Sequence, residues 1–442
     1  MRIQLSEHFT YGKLLRFTFP SIVMMIFTSI YSVVDGLFVS NFVGKTAFAA
    51  VNLVYPVLMI LGTVGFMIGT GGTAIVAKTL GQGKREEANQ YFSLLVCAAA
   101  TGGTVISLLG LLFIRPVSAA LGAQGAMLED CVLYGRIILA ANPFFVLQLV
   151  FQSFFVSAEK PKLGLAVIVG AGLTNIVMDA LLVAVFPLGL AGAAVATAMS
   201  QMVGGLVPII YFLRENNSLL RLTKPKYSGW VLAKTCSNGS SELMSNVSSS
   251  LVGILYNFQL MRLAGEDGVA AYGAIMYVSF IFAAIFLGYA IGSAPVVSYH
   301  YGAAHVGELK SLLRKSTVLT AVAGAVMAAA GTAVSVPLAH LFVGYDRDLY
   351  ELTVRGFQLY ALSYLLCGFN IFGSAFFTAL NNGLASAVVS FLRTLVFQCA
   401  SVLVLPIFLD IDGIWLAISV AEAAALVVTL ALLAKYRKVY GY

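Results

Sequence analysis

The sequence predicts an all-α membrane protein of about twelve transmembrane helices in two pseudo-symmetric six-helix lobes. Three observations carry this: a shortage of charge, a series of long apolar runs, and a repeat at half the chain length. Of 442 residues, 60% are hydrophobic and only 10% charged. Soluble domains carry roughly a quarter charged residues, because they must cover their surface with polar groups. A surface that faces lipid has no such need. Length here therefore measures crossings, at about 20 apolar residues each, rather than soluble domains.

Polar breaks separate twelve runs: 14–41, 49–78, 91–114, 131–158, 163–186, 189–213, 232–262, 269–298, 314–343, 353–380, 386–409 and 412–435. They are long and continuous rather than ten-residue and alternating, which predicts helices and not a barrel. Several exceed what a bilayer needs, so tilt or extension into water is expected. Little more than Pro187 and Leu188 separates the fifth and sixth, which predicts a tight hairpin. The first run, after Arg16, is too long for a cleavable signal peptide. The five cysteines are scattered and odd in number. They form neither a disulfide framework nor a CxxC site, and read as small packing residues.

Charge placement gives orientation. Of the 26 basic residues, nineteen lie in the loops on the side of both termini, among them Arg2, Lys84, Arg85, Lys160, Lys315 and Lys438. Six lie on the other side, Lys45 and Arg355 among them, and Arg393 lies inside a crossing. This predicts cytoplasmic termini and a cell-membrane (inner or cytoplasmic) location. The net charge of +7 is then a topology signal and implies no nucleic-acid partner.

The halves align at an offset of 221, half of 442. Gly44 pairs with Gly265, Gly81 with Gly302, Glu87 with Glu308, Gly135 with Gly356, Ser153 with Ser374 and Gly192 with Gly413. With six crossings each, both halves start on the same side, so the repeats are parallel, about an axis along the membrane normal. The expected organisation is an N-lobe over 1–213, a cytoplasmic linker over 214–231 and a C-lobe over 232–442. Two such lobes around a cleft are the natural device for alternating access, which makes transport the leading class.

A primary pump needs a nucleotide site. Gly44-Lys45-Thr46 is a decoy, since Val39 stands where a phosphate loop has its first glycine. His8, His300, His305 and His340 have no ligand spacing, and nothing resembles a metal cluster or catalytic triad. The chain is therefore expected to be a secondary transporter, not an enzyme, with no cofactor and no bound metal beyond the coupling ion, H⁺ or Na⁺.

Ion coupling needs ionisable groups at membrane depth, and four acids lie within the crossings: Asp35, Asp179, Glu242 and Glu422. Asp35 ends a one-face stripe with Thr28 and Ser32 on the first helix. Asp179 follows Asn175 by four residues on the fifth. Both acids lie in the outer half of the N-lobe, at a depth that Thr197 also reaches. A low dielectric disfavours two adjacent carboxylates, so such a pair can take up a proton outside and release it inside. Carboxylate, amide and hydroxyl oxygens also suit Na⁺. Glu242 shares a polar face with Asn238, Ser245 and Ser249 on the seventh helix, as a substrate or secondary ion site. Glu422 and Arg393 are placed to neutralise each other. Tyr31 and Tyr256 are candidate substrate contacts, though ordinary helix packing also accounts for them. Gly62, Gly65, Gly69 and Gly72 form a small-residue face suited to close helix packing.

These residues resemble the multidrug and toxic compound extrusion (MATE) family, in its bacterial MepA-like branch. The most specific element is Thr174-Asn175-Ile176-Val177-Met178-Asp179, followed by Gly189-Leu190-Ala191-Gly192-Ala193-Ala194. The resemblance implies that Pro20 is the first-helix proline whose bending accompanies protonation. It also implies that Asp35, Asn175, Asp179 and Thr197 form the N-lobe proton or cation site. The implied function is multidrug efflux: cationic or amphiphilic organic compounds exported in exchange for H⁺ or Na⁺, by a chain expected to act as a monomer in the bilayer. One departure concerns the C-lobe cation site of some members. Glu242 matches its seventh-helix acid, but the tenth run, 353–380, contains no acid. A lipid-linked sugar flippase of the same superfamily is the alternative. It is disfavoured by room for only twelve helices and by an interior of four acids against one arginine.

Overall fold

The computed structural model describes residues 3–344 and 346–442. Among these it describes all side chains except those of Ser32, Val33, Gly36, Leu37, Ser40, Asn41, Lys45 and Phe342. Arg2 and the Ser32 side chain therefore lie outside the described residues. Every regular element among those described is helical.

Helix α1 spans Tyr11–Phe38 and ends in a π turn, Val39–Val43; α2 is Lys45–Gly62 followed by Val64–Gly81. Then come α3 (Arg85–Ala120), α4 (Gly125–Ser157), α5 (Pro161–Asp179, with a π turn Ala180–Val185) and α6 (Gly189–Leu213). The continuous helical stretch Gly229–Gly302 is 74 residues long, about 110 Å if straight and far beyond one bilayer. It folds back at Gly265, whose backbone is non-helical (φ 62°, ψ −147°). The position a Gly268 Cβ would take is only 3.0 Å from the Leu260 carbonyl oxygen, a separation of about 12 Å along a straight helix. This stretch is therefore two antiparallel helices, α7 and α8. Helix α9 is Val306–Val343, and α10 is Arg347–Ala361 bent by 46° onto Tyr364–Ala379. The last stretch, Gly383–Phe391, Leu392–Phe397 and Gln398–Tyr440, reverses at Asp410 (φ 48°) into α11 and α12. Among the described residues, ten helices or bent pairs are long and apolar enough to span. Dividing two of them at their reversals gives the twelve crossings expected.

The repeat is written into the backbone. Gly44 and Gly265, Gly83 and Ala304, and Gly189 and Asp410 are pairs 221 residues apart, and all six have positive φ. Glu159 and Asn381 make a fourth such pair one residue out of step. Ala304 and Asp410 adopt a conformation that disfavours a side chain. They do so because the shared turn geometry demands it.

Packing separates the lobes unevenly. One apolar core, with Val54, Ile114 and Tyr134, belongs to α1–α6 alone. Another, with Tyr256, Phe357 and Trp415, belongs to α7–α12 alone. Two further cores straddle the halves: one joins Phe92 and Phe154 to Val231, and one joins Phe17 and Val156 to Tyr289 and Phe372. Both straddling cores lie toward the face that carries the termini, called here the terminal face. There α2 meets α7, with Gly71 against Gly239, and α1 meets α8, with Thr18 against Gly292. Asn381 donates to the Ala74 carbonyl across the same seam at 3.1 Å. The lobes are thus joined at the terminal face. The small-residue face of α2 packs as expected, with Gly65 and Gly69 against the backbone of α4 at Val146 and Leu149.

Candidate functional site

Three helices of the N-terminal half bring the four residues of the expected cluster together. Asp35 comes from the last turns of α1, and Asn175 and Asp179 from one face of α5, just before its π turn. Thr197 comes from α6, entering through the Phe186–Leu188 turn. Such π turns recur at functional positions because they re-aim neighbouring side chains. Thr197 donates to Asp35 Oδ1 and Asn175 Nδ2 donates to Thr197, both at a long 3.4 Å. Asp35 and Asp179 come close enough for their carboxyl groups to interact directly.

The cluster is dominated by acceptors. Asp179 is wholly buried. Among the described residues, neither of its carboxyl oxygens has a hydrogen-bond partner, and Asn175 Oδ1 has none either. Buried polar atoms are almost always paired, and three orphan acceptors beside a second carboxyl group form a set that a proton or a hard cation completes. Only two acids meet here, and no group of three or more His, Cys, Asp or Glu suited to a metal occurs among the described residues.

Sequence reasoning missed Tyr134 on α4, which is buried and lies close to Thr197, Asp35 and Asp179. The signal was weak: one aromatic in an apolar run reads as core. Tyr31, one turn before Asp35, is half-buried and faces Gln148 and Asp35, so it borders the cluster.

The remaining candidates disperse. Tyr256 is buried and stacks on Tyr272, with ring centroids 5.0 Å apart. Asn238 is buried at the seam between the halves, where it donates to Asn381 Oδ1 at 2.8 Å. Glu242, one turn further along α7, is half-buried, and its carboxyl group has no partner among the described residues. Pro20 sits inside α1, beside the α1–α8 contact. Glu422 is fully buried and takes Arg393 Nε on both carboxylate oxygens, at 2.8 and 2.9 Å. Asn370 Nδ2 completes Glu422 at 2.7 Å, and Thr429 holds Asn370 at 2.8 Å.

Comparisons with known proteins agree on this architecture. The sequence model of the MatE family matches residues 20–181 and 243–402, one segment in each half. The multidrug export protein MepA of Staphylococcus aureus (strain MSSA476) is 22% identical over 386 residues, 87% of this chain and 84% of that protein. A crystal structure of MATE in complex with MaL6 superposes with a TM-score of 0.93 at 21% identity, covering 98% of both chains. The outward-facing conformation of a multidrug resistance MATE family transporter superposes at 0.92 with 22% identity, covering 98% of this chain and 97% of that one.

Proposed function

Because the chain belongs to the MatE family, matched over both halves, we propose that it is a multidrug efflux transporter: a secondary antiporter that exports organic cations in exchange for H⁺ or Na⁺. The observation that carries the reading is the acceptor surplus around Asp179. A shared proton, or a Na⁺ among the oxygens of Asp35, Asn175, Asp179 and Thr197, relieves the repulsion between two carboxyl groups in a low dielectric.

The lobes 1–213 and 232–442, hinged by the linker 214–231, rock about the terminal-face seam. In this reading the cleft faces away from the termini, and with cytoplasmic termini that side is external. Ion uptake at Asp35 and Asp179 from that side favours release of the organic cation. Bending of α1 at Pro20, where the ring removes a backbone donor, transmits the change to α8. Glu242 supplies an anionic contact for the substrate from one lobe, and Tyr31 an aromatic one from the other. The reading needs one polypeptide in a bilayer and no cofactor.

The deciding experiment is dye efflux from proteoliposomes carrying wild type or Asp179→Asn, under an imposed proton gradient and separately a Na⁺ gradient. The expected result is gradient-driven efflux by the wild type alone. Gradient-driven efflux that survives in Asp179→Asn overturns the coupling site, and no efflux by the wild type in any gradient overturns the antiport.

A further inference from the structure

The turn from α8 into α9 repeats the turn from α2 into α3 in backbone but not in chemistry. In the first half Thr79, Gly83, Lys84 and Glu87 occupy it, and Lys84 Nζ pairs with Glu87 at 3.6 Å. The residues 221 positions on are His300, Ala304, His305 and Glu308. Both turns close alike: Lys84 N donates to the Thr79 carbonyl at 3.2 Å, and His305 N to that of His300 at 3.0 Å. A hydroxyl and a permanent cation are thus replaced by two imidazoles on one backbone frame.

That frame brings the imidazoles together, with the two Nδ1 atoms 3.3 Å apart. A contact between ring nitrogens needs one donor and one acceptor, so it exists only while at least one ring is uncharged. His300 lies just beyond the crossing 269–298 and is 2% exposed, and its Nε2 has no hydrogen-bond partner among the described residues. His305 is exposed. From the N-terminal segment, His300 is faced by His8, the Glu7 carbonyl and the Phe9 ring, which meets it edge-on at 6.4 Å. From α9 it is faced by Glu308, and Lys315 Nζ holds the Phe9 carbonyl. The Glu308 carboxylate is already committed, Oε2 to His8 Nδ1 at 2.7 Å and Oε1 to the Phe9 amide at 3.0 Å. That of Glu7 is held by Lys13 and the Gln4 amide. A second charge on the imidazole pair therefore finds no free counter-ion, and Glu308 can serve as one only by letting go of His8 and Phe9.

We propose that His300 and His305 form a proton-sensitive latch on the terminal face, which holds the N-terminal segment while the pair carries at most one charge and releases it when both rings are charged. The segment also reaches the first half, where Leu5 N donates to Glu159 Oε1 at 2.7 Å on the α4–α5 turn, so its release loosens the join between the lobes. Burial holds His300 below the ordinary imidazole range, and the attached state therefore binds fewer protons than the released one. The latch is firm above that ordinary range, centred at about pH 6.5, and weakens as pH falls through it. It reads pH on the side of the termini and does not depend on the export reading.

The test is the distance between spin labels at Ser6 and Lys310, measured by double electron–electron resonance on the full chain in nanodiscs, in a cysteine-free background. A single short distance is expected well above the imidazole range. A longer one should appear below it, its population growing by up to about tenfold per pH unit, the limit for one proton. His300→Thr, which installs the residue of the first-half turn, should keep the short distance throughout. His305→Gln, on the exposed rim, offers an oxygen to a charged His300 and should flatten the response. Asp179→Asn should leave the response intact. An unchanged distance in the wild type, a full response in either histidine variant, or a response lost with Asp179→Asn overturns the latch.

Discussion

Gly81 on α2 and Gly302 on α8, 221 residues apart, each stand where a side chain would strike the other's helix. A Cβ on Gly81 would run into the Tyr299 carbonyl, and one on Gly302 into that of Lys78. Lys78 and Tyr299 are themselves 221 apart, so the contact is its own image under the pseudo-two-fold. Small residues at such crossings let backbones touch.

The first prediction follows from that reciprocity. Gly81→Val and Gly302→Val should destabilise by similar amounts, roughly 1–3 kcal/mol for forced overpacking. Gly307, with no atom within 4 Å of its Cβ position, should tolerate the same change. Thermal unfolding in detergent compares the three, and a large inequality between the first two would refute the symmetric seam.

What the sequence made legible follows the same division. The twelve runs, the offset and the four intramembrane acids could be read because apolar length and repeat spacing are linear properties. Asp35 and Asp179 could be placed at one depth by counting turns. Asn238 could not be separated from Glu242, because they share a face of α7 one turn apart, and only Asn238 is paired at the seam. Tyr134 and the break of α10 at Leu362–Ser363 left no mark, since an aromatic and a serine in an apolar run are unexceptional. The left-handed Ala304 and Asp410 were equally silent, their conformation being imposed by the repeat rather than by their residue type.

Asp179→Asn should separate stability from activity. The amide keeps the volume, removes repulsion from Asp35 and supplies donors where the carboxyl group finds none. The variant is expected to melt higher than wild type while losing ethidium efflux, the usual exchange between a strained site and stability. Asp35→Asn should lose efflux too. A lower melting temperature for Asp179→Asn would mean that the orphan oxygens are paired in the membrane.

Arg393 and Glu422 should be strongly non-additive. Removing one partner leaves a buried charge uncompensated, at about 3–5 kcal/mol. Removing both should cost much less than the sum. Unfolding of Arg393→Met, Glu422→Gln and the double variant closes the cycle, and additive losses would show that the two charges do not depend on each other.

The N-terminal segment before α1 ties the halves together, so it should govern how firmly the terminal face stays closed. Leu5 N donates to Glu159 at 2.7 Å, on the α4–α5 turn of the first half. Phe9 N and His8 Nδ1 meet Glu308 at 3.0 and 2.7 Å, at the start of α9 in the second. Lys315 Nζ donates to the Phe9 carbonyl at 2.5 Å, and the Leu5 and Phe9 side chains fill the core that straddles both halves. Opening the terminal face requires one of these ties to break. Glu308→Ala orphans the Phe9 amide, a loss of about 1–3 kcal/mol for a buried donor, and leaves Glu159 untouched. Amide exchange over residues 5–10 should quicken, and a cysteine at Ala74 in the seam should label faster. Glu308→Gln, which still offers an acceptor, should restore most of the protection. Unchanged exchange and labelling in Glu308→Ala would mean that the apolar contacts of Leu5 and Phe9 alone hold the face shut.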